Sequence, residues 1–127
     1  MKKIILSLLI LFTTVSFSQN KTFTLEYNKV ERFIENKLVE SAKSENIFLF
    51  NIGGATDMAI LYSDGFYEKY KTVGKPSRVE GTKAYQKILY KSYISGDIIE
   101  LRVFDKKENG LILVITGEKN EFKFTKS

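Results

Sequence analysis

Carboxylates, lysines and tyrosines are the side chains left for chemistry in this chain, because its 127 residues include no His and no Cys. A Ser-His-Asp triad, a Cys-His nucleophile pair and a zinc site of the usual type each need one of the two absent residue types. The imidazole that usually shuttles protons near neutral pH is absent as well. The sequence therefore leaves acid–base chemistry by pairs of carboxylates and cation binding by oxygen ligands.

Four aspartates are the first carboxylates to consider, at Asp57, Asp64, Asp97 and Asp105. A glycoside hydrolase needs two carboxyl groups that face each other across a cleft. Each of these aspartates instead lies beside a predicted turn or strand start, where Asp is common because its side chain bonds the local backbone. The run Asp105–Gly110 lacks the ligand spacing of a calcium loop, and its lysines would repel a cation. The sequence thus predicts no catalytic residue, no metal site and no cofactor.

A binding surface is predicted around Tyr67, Lys69 and Lys71, which alternate along one predicted strand. If Phe66 and Tyr70 point into the core, these three side chains point outward. An exposed tyrosine flanked by lysines can bind an acidic partner, because Tyr combines apolar area with a hydrogen-bonding tip. Arg102 joins this site if the sheet is continuous. The alternative is a solvated sheet face whose lysines discourage edge-to-edge aggregation.

The N-terminal residues have the pattern of a bacterial secretory signal. Lys2 and Lys3 precede an apolar run, Ile4–Phe12, and small residues follow at Ser16 and Ser18. The run is shorter than the roughly 20 residues that cross a bilayer. A charged start, a short apolar core and small residues at the cleavage site together indicate a cleaved signal, with an uncleaved anchor as the alternative.

Cleavage of residues 1–18 would leave one domain, residues 19–127, in the periplasm or the medium. Without Cys the mature chain has no lipid attachment of the lipoprotein kind and no disulfides, so its core alone must stabilise it. Loss of two lysines leaves 18 Lys and Arg against 15 Asp and Glu, a net charge of +3. These charges are interspersed, whereas nucleic-acid binders usually carry a concentrated basic stripe. We therefore expect no nucleic-acid partner and no membrane anchor.

Helix and strand signals alternate in the first half of the mature chain. Asn28 and Glu31 have the spacing of a capping box, and apolar residues recur at helical intervals after them, which predicts a helix over Lys29–Lys43. Strands are predicted on both sides of this helix, at Thr22–Glu26, Ile47–Ile52, Met58–Tyr62 and Phe66–Thr72.

The second half is predicted to repeat this order. A helix over Lys83–Ser95 would bury Tyr85 and Tyr93, expose Tyr90 and end at Gly96, although a strand pattern also fits part of this stretch. Strands follow at Ile98–Phe104, Leu111–Thr116 and Glu121–Thr125. The fold class expected from this order is α+β: an antiparallel sheet of about six strands with two helices on one face, possibly a helix-plus-three-strand pseudo-repeat.

Two functions of different classes fit these features. The first is an exported binding or interaction module for a protein or cell-envelope component, which uses Tyr67, Lys69, Lys71 and Arg102. The second is a small carboxylate-dependent hydrolase that acts on polysaccharide or peptidoglycan. A third possibility is a structural protein that works only as an oligomer.

Overall fold

The computed structural model describes residues 21–52 and 56–126, which fold into an antiparallel β-barrel. The signal pattern of residues 1–18 lies outside the described residues. The strands are β1 (Phe23–Ile34), β2 (Lys37–Ile52), β3 (Asp57–Leu61), β4 (Tyr67–Val79), β5 (Tyr85–Ser92), β6 (Ile98–Phe104), β7 (Leu111–Ile115) and β8 (Asn120–Thr125). One turn of 3₁₀-helix, Lys107–Asn109, lies between β6 and β7.

Every strand pairs with the next in the chain, and β8 pairs with β1 to close the barrel. The closing ladder runs from Lys29 opposite Thr125 to Ile34 opposite Asn120. Because consecutive strands are antiparallel, alternate turns lie at the same end of the barrel. The end that carries the turns at residues 35–36, 62–66, 93–97 and 116–119 is called the upper rim, and the opposite end the lower rim.

Side chains fill the barrel interior. Phe48 packs edge-on against Phe124, with ring centroids 5.0 Å apart, and Tyr27 packs against both rings. Eight strands enclose a space just wide enough for side chains to fill. The largest fully buried side chains are Phe48, Phe50, Met58, Ile60, Ile88, Leu101 and Leu111. The interior of the barrel is therefore a packed core.

The α+β fold class with two helices is wrong, because the described residues form a closed eight-stranded barrel and no α-helix. The predicted helix Lys29–Lys43 is the hairpin of β1 and β2. Its turn consists of Glu35 and Asn36, with φ of 50° and 67°. Two positive φ values in a two-residue loop suit a hairpin because they match the twist of the flanking strands. Register shifts in this hairpin interrupt the alternation of apolar residues and so imitate a helical period.

The second predicted helix, Lys83–Ser95, is also wrong, because most of it is strand β5. Its buried face alternates strictly through Gln86, Ile88, Tyr90 and Ser92. Two of these four buried residues, Gln86 and Ser92, are polar. Hydropathy therefore shows the alternation of buried and exposed positions only at Ile88 and Tyr90. Without helices there is no helix-plus-three-strand half to repeat, and the expected pseudo-repeat is wrong too. The predicted strands at Met58–Tyr62, Ile98–Phe104, Leu111–Thr116 and Glu121–Thr125 coincide with β3, β6, β7 and β8 to within one residue at each end. Those at Thr22–Glu26, Ile47–Ile52 and Phe66–Thr72 cover only parts of the longer strands β1, β2 and β4.

The described residues contain no helix that is both long and apolar enough to cross a membrane.

Candidate functional site

A polar cluster lies inside the barrel just below the upper rim. The Glu68 carboxylate accepts hydrogen bonds from the Tyr70 hydroxyl at 2.8 Å and from Ser92 Oγ at 2.9 Å. Ser92 Oγ in turn accepts from the backbone N–H groups of Ile94 and Ser95. Burial and the hydrogen bond to Glu68 raise the pKa of Tyr70 well above its ordinary value, so its hydroxyl stays a donor. The cluster therefore ties the turn at residues 93–97 to the core.

A second cluster lies on the outer wall and joins β3 and β4 to the turn at residues 93–97. Asp57 Oδ2 accepts a hydrogen bond from the Tyr93 hydroxyl at 3.0 Å and lies 3.7 Å from Lys69 Nζ. Lys69 Nζ also lies 5.5 Å from the centroid of the Tyr93 ring. The hydrogen bond to Asp57 raises the pKa of the Tyr93 phenol. These contacts hold an exposed aromatic ring in one orientation.

The upper rim carries a group of exposed apolar side chains on two adjacent turns. Ile94 is 77% exposed, Tyr93 55%, Phe66 53% and Tyr67 48%. The turn at residues 93–97 is joined to β4, because the Tyr93 N–H donates to the Lys69 carbonyl at 3.1 Å. We call Phe66, Tyr67, Tyr93 and Ile94 the rim patch. Large apolar side chains grouped on a surface are typical of interaction sites.

Tyr67, Lys69 and Lys71 lie on β4, where Tyr67 and Lys71 are exposed and the Lys69 side chain is 45% exposed. Lys71 pairs across the sheet with Lys91, so two like charges face each other there. Of the two residues expected in the core beside them, Tyr70 is buried. The prediction for Phe66 is wrong, because Phe66 lies in the turn before β4 and is exposed.

Arg102 is separated from these residues. It lies on β6, level with Lys87 of β5, whereas Lys71 is level with Lys91. Its guanidinium binds Glu100 at 2.6 Å and lies 5.8 Å from the Tyr85 ring centroid. The structure therefore brings together the three predicted residues of β4 but not the fourth residue.

The rim patch includes three residues that sequence reasoning did not select: Phe66, Tyr93 and Ile94. The predicted helix put Tyr93 in the core and Tyr90 outside, and the structure reverses both: Tyr93 is exposed and Tyr90 buried. Ile94 follows directly and is the most exposed of the large apolar residues described. A strand period over Tyr85–Ser92 would have placed Tyr90 inside and left Tyr93 at the rim.

The four aspartates have separate local partners. Asp64 accepts a hydrogen bond from the Phe66 N–H at 2.8 Å within its turn, and Asp97 lies in the turn at residues 93–97. Asp105 pairs with Arg78 at the lower rim, and Asp57 belongs to the outer cluster. Within the described ranges, no group of three or more acidic side chains is placed to hold a metal ion. The geometry thus offers contacts for a partner more readily than a reaction centre.

A groove of about 690 Å³ lies at the upper rim where β2 separates from β3. One wall of the groove is the part of β2 around Ser44. The other wall is the end of β3 and the turn that follows it, which includes Ser63. The hydroxyls of these two serines are 3.1 Å apart. The lining comprises Asn28, Lys43, Ser44, Glu45, Ile47, Leu61, Tyr62 and Ser63.

Comparison of this chain with protein-family models, with curated proteins and with solved structures gives no match.

Proposed function

We propose that this chain is an exported binding module that contacts a protein of the cell envelope through the rim patch and the adjoining lysines of β4. The observation that carries the proposal is the exposure of four large side chains, Phe66, Tyr67, Tyr93 and Ile94, at two adjacent turns of the upper rim. The N-terminal signal pattern supports an envelope location. The filled interior favours binding on the outside of the barrel.

The fixed orientation of Tyr93 favours a protein partner. Interfaces are enriched in tyrosine because the ring supplies a large contact area with few rotatable bonds. Asp57 and Lys69 already hold the Tyr93 ring in place, so little side-chain entropy remains to be lost on binding. The adjoining turn presents Phe66, whose ring stacks on Tyr62 with centroids 5.8 Å apart. The rim patch thus contains two partly preorganised aromatic rings.

The lysines beside the patch favour an acidic partner surface. Lys69 lies directly under Tyr93, and Lys71 faces Lys91 on the neighbouring strand. Opposed like charges are unfavourable across a sheet, and an acidic partner would relieve that repulsion. We therefore expect the binding to weaken as the salt concentration rises.

The test is a pull-down of envelope extract with the immobilised chain, followed by identification and titration of the partner. Tyr67→Ala and Ile94→Ser should each weaken binding by about tenfold or more, as expected for residues near the centre of an interface. Lys69→Glu should weaken binding most at low salt. The Tyr67 and Lys69 variants test the site predicted from sequence, and the Ile94 variant tests the part added by the structure.

The matched controls lie on the same strand but away from the upper rim. Val73→Ser removes another exposed apolar side chain of β4, and Lys75→Glu reverses another exposed charge. Both should bind normally. A partner that binds the patch variants and the controls with equal affinity would show that the rim patch is not the site.

A further inference from the structure

Strand β2 has a long edge that no described strand covers. Its residues pair with β1 from Lys37 onward, but pairing with β3 begins only at Ile47. We call Lys37–Glu45 the β2 edge. Nearly all of it is exposed, and Leu38 and Val39 expose 53% and 47% of their surface. A strand edge of this kind presents unpaired backbone N–H and C=O groups that can pair with another strand.

Strand β4 also has an edge that β3 leaves uncovered, at the opposite end of the barrel. That edge contains Lys71, Lys75 and Pro76, and a register shift lies between Val73 and Ser77. Lysine, proline and irregular pairing are the usual protections against edge-to-edge association. The β2 edge has no proline, and its charges alternate in sign: Lys37, Glu40, Lys43 and Glu45. The two edges therefore differ in the chemistry that governs strand pairing.

We propose that the β2 edge is a homodimer interface in which two copies of this chain pair their β2 strands antiparallel about a two-fold axis at Ser41. In this register Lys37 of each copy lies opposite Glu45 of the other, which gives two ion pairs. Leu38 lies opposite Ser44, Val39 opposite Lys43, and Glu40 opposite Ala42, so no like charges face each other. Opposite charges placed directly across a strand pair stabilise it.

The charges on the β2 edge favour the register with its axis at Ser41 over the register with its axis at Glu40. With the axis moved to Glu40, that residue would face its own copy, and Lys37 would face Lys43. Both contacts would oppose like charges across the pair, which is destabilising. A two-fold interface must be self-complementary, because the same surface meets itself. The sequence of the β2 edge meets this condition when the axis passes through Ser41.

The groove between β2 and β3 lies at the Glu45 end of the β2 edge. Its position is a second reason to infer that another copy of this chain covers the edge. In the Ser41 register, Lys37 of one copy reaches the level of Glu45 in the other. The turn beyond it, Glu35 and Asn36, then extends toward the groove between β2 and β3. That groove is open and has Lys43 and Glu45 in its lining. The edge, the groove and the hairpin turn would therefore all be covered by one two-fold contact.

The first test is a charge exchange, read by sedimentation or light scattering of the chain between about 1 µM and 1 mM. The unchanged protein should show a concentration-dependent dimer. Lys37→Glu and Glu45→Lys should each raise the dissociation constant about tenfold or more, because each opposes like charges twice. The double variant restores opposite signs and should restore the dimer. Lys75→Glu, on the β4 edge, should have no effect.

The second test uses the absence of cysteine from the chain. Ser41→Cys puts one thiol in each copy at the proposed axis, where mild oxidation should form a disulfide-linked dimer. Ser77→Cys is the matched control, since Ser77 is an exposed serine on the β4 edge. Antiparallel partners lie about 4.5–5.5 Å apart at Cα, within reach of a disulfide.

Three results would overturn the proposal. One is a monomer over the whole concentration range with no more cross-linking at position 41 than at position 77. Another is a dimer that is indifferent to both charge reversals. The third is a double variant that stays as weak as the single variants. An acidic or apolar peptide that binds the β2 edge of a monomeric protein would likewise replace the homodimer as the occupant.

Discussion

At the scale of single residues, Ser92 connects the barrel core to the rim patch. Its hydroxyl donates to Glu68 and accepts from two backbone N–H groups of the turn that carries Tyr93 and Ile94. A small buried hydroxyl therefore fixes the position of two large exposed side chains. The sequence gives no sign of this role, because Ser92 lies at the end of a stretch whose apolar residues also fit a helix.

Ser92→Ala should destabilise the fold by about 1–2 kcal/mol, because it leaves Glu68 with one bond fewer and two N–H groups without their acceptor. The amides of Ile94 and Ser95 should exchange hydrogen faster, and partner binding should weaken. Denaturant titration and amide exchange measure these effects.

Ser95→Ala is the control for this change, since Ser95 Oγ accepts only from the Asp97 N–H in an exposed turn. Ser95→Ala should lower the free energy of unfolding by less than Ser92→Ala does. Equal effects of the two substitutions would mean that the Ser92 cluster does not hold the turn.

At the scale of elements, the β3–β4 and β7–β8 hairpins could be predicted from sequence, whereas the β1–β2 hairpin and β5 could not. Gly65 and Gly117 mark the β3–β4 and β7–β8 turns, and both have positive φ. The β1–β2 turn puts Glu35 and Asn36 in the same kind of conformation without glycine. The pattern of this hairpin therefore predicts a helix, and the β2 edge cannot be predicted from it. Tyr67 and Lys69 could be selected because the β3–β4 turn fixed the register of β4.

Gly110 is the element-scale position where the structure demands glycine. Its φ is 68°, and a Cβ there would collide with the carbonyl oxygen of Phe124 on β8. Gly110→Ala should thus disturb the pairing of β7 with β8 and cost about 2 kcal/mol or more, from backbone strain and overpacking together. Thermal or denaturant unfolding measures the loss.

Gly117→Ala separates these two causes. Gly117 has φ of 90°, but nothing lies within 4 Å of the Cβ position. Gly117→Ala should therefore lower the free energy of unfolding by about 1 kcal/mol, from backbone strain alone. If Gly117→Ala costs as much as Gly110→Ala, the contact with Phe124 contributes nothing.

At the scale of the whole molecule, buried tyrosines make the barrel sensitive to alkali. Burial raises the pKa of Tyr27 to about 12, and it also raises the pKa of Tyr90 above its ordinary value. A tyrosine whose pKa is higher in the folded state stabilises that state while protonated. This stabilisation is complete below the unfolded pKa of about 10 and is lost as the pH rises through the folded pKa.

The free energy of unfolding should therefore fall between about pH 10 and pH 12, by roughly 2–3 kcal/mol from Tyr27 alone. Denaturant titrations at several pH values measure this slope. Tyr27→Phe should reduce the slope, whereas Tyr67→Phe, which alters an exposed ring, should leave it unchanged. A flat profile up to pH 12 would contradict the assignment.

The packed interior determines which positions of such a protein can change during evolution. Core residues lie on alternating positions of the strands, whereas the rim patch lies on turns joined to that core through a few polar contacts such as those of Ser92. Substitutions at Phe66, Tyr93 or Ile94 remove little buried surface, so they carry little cost in folding. New specificities could accordingly be selected at the rim while the barrel itself stays constant.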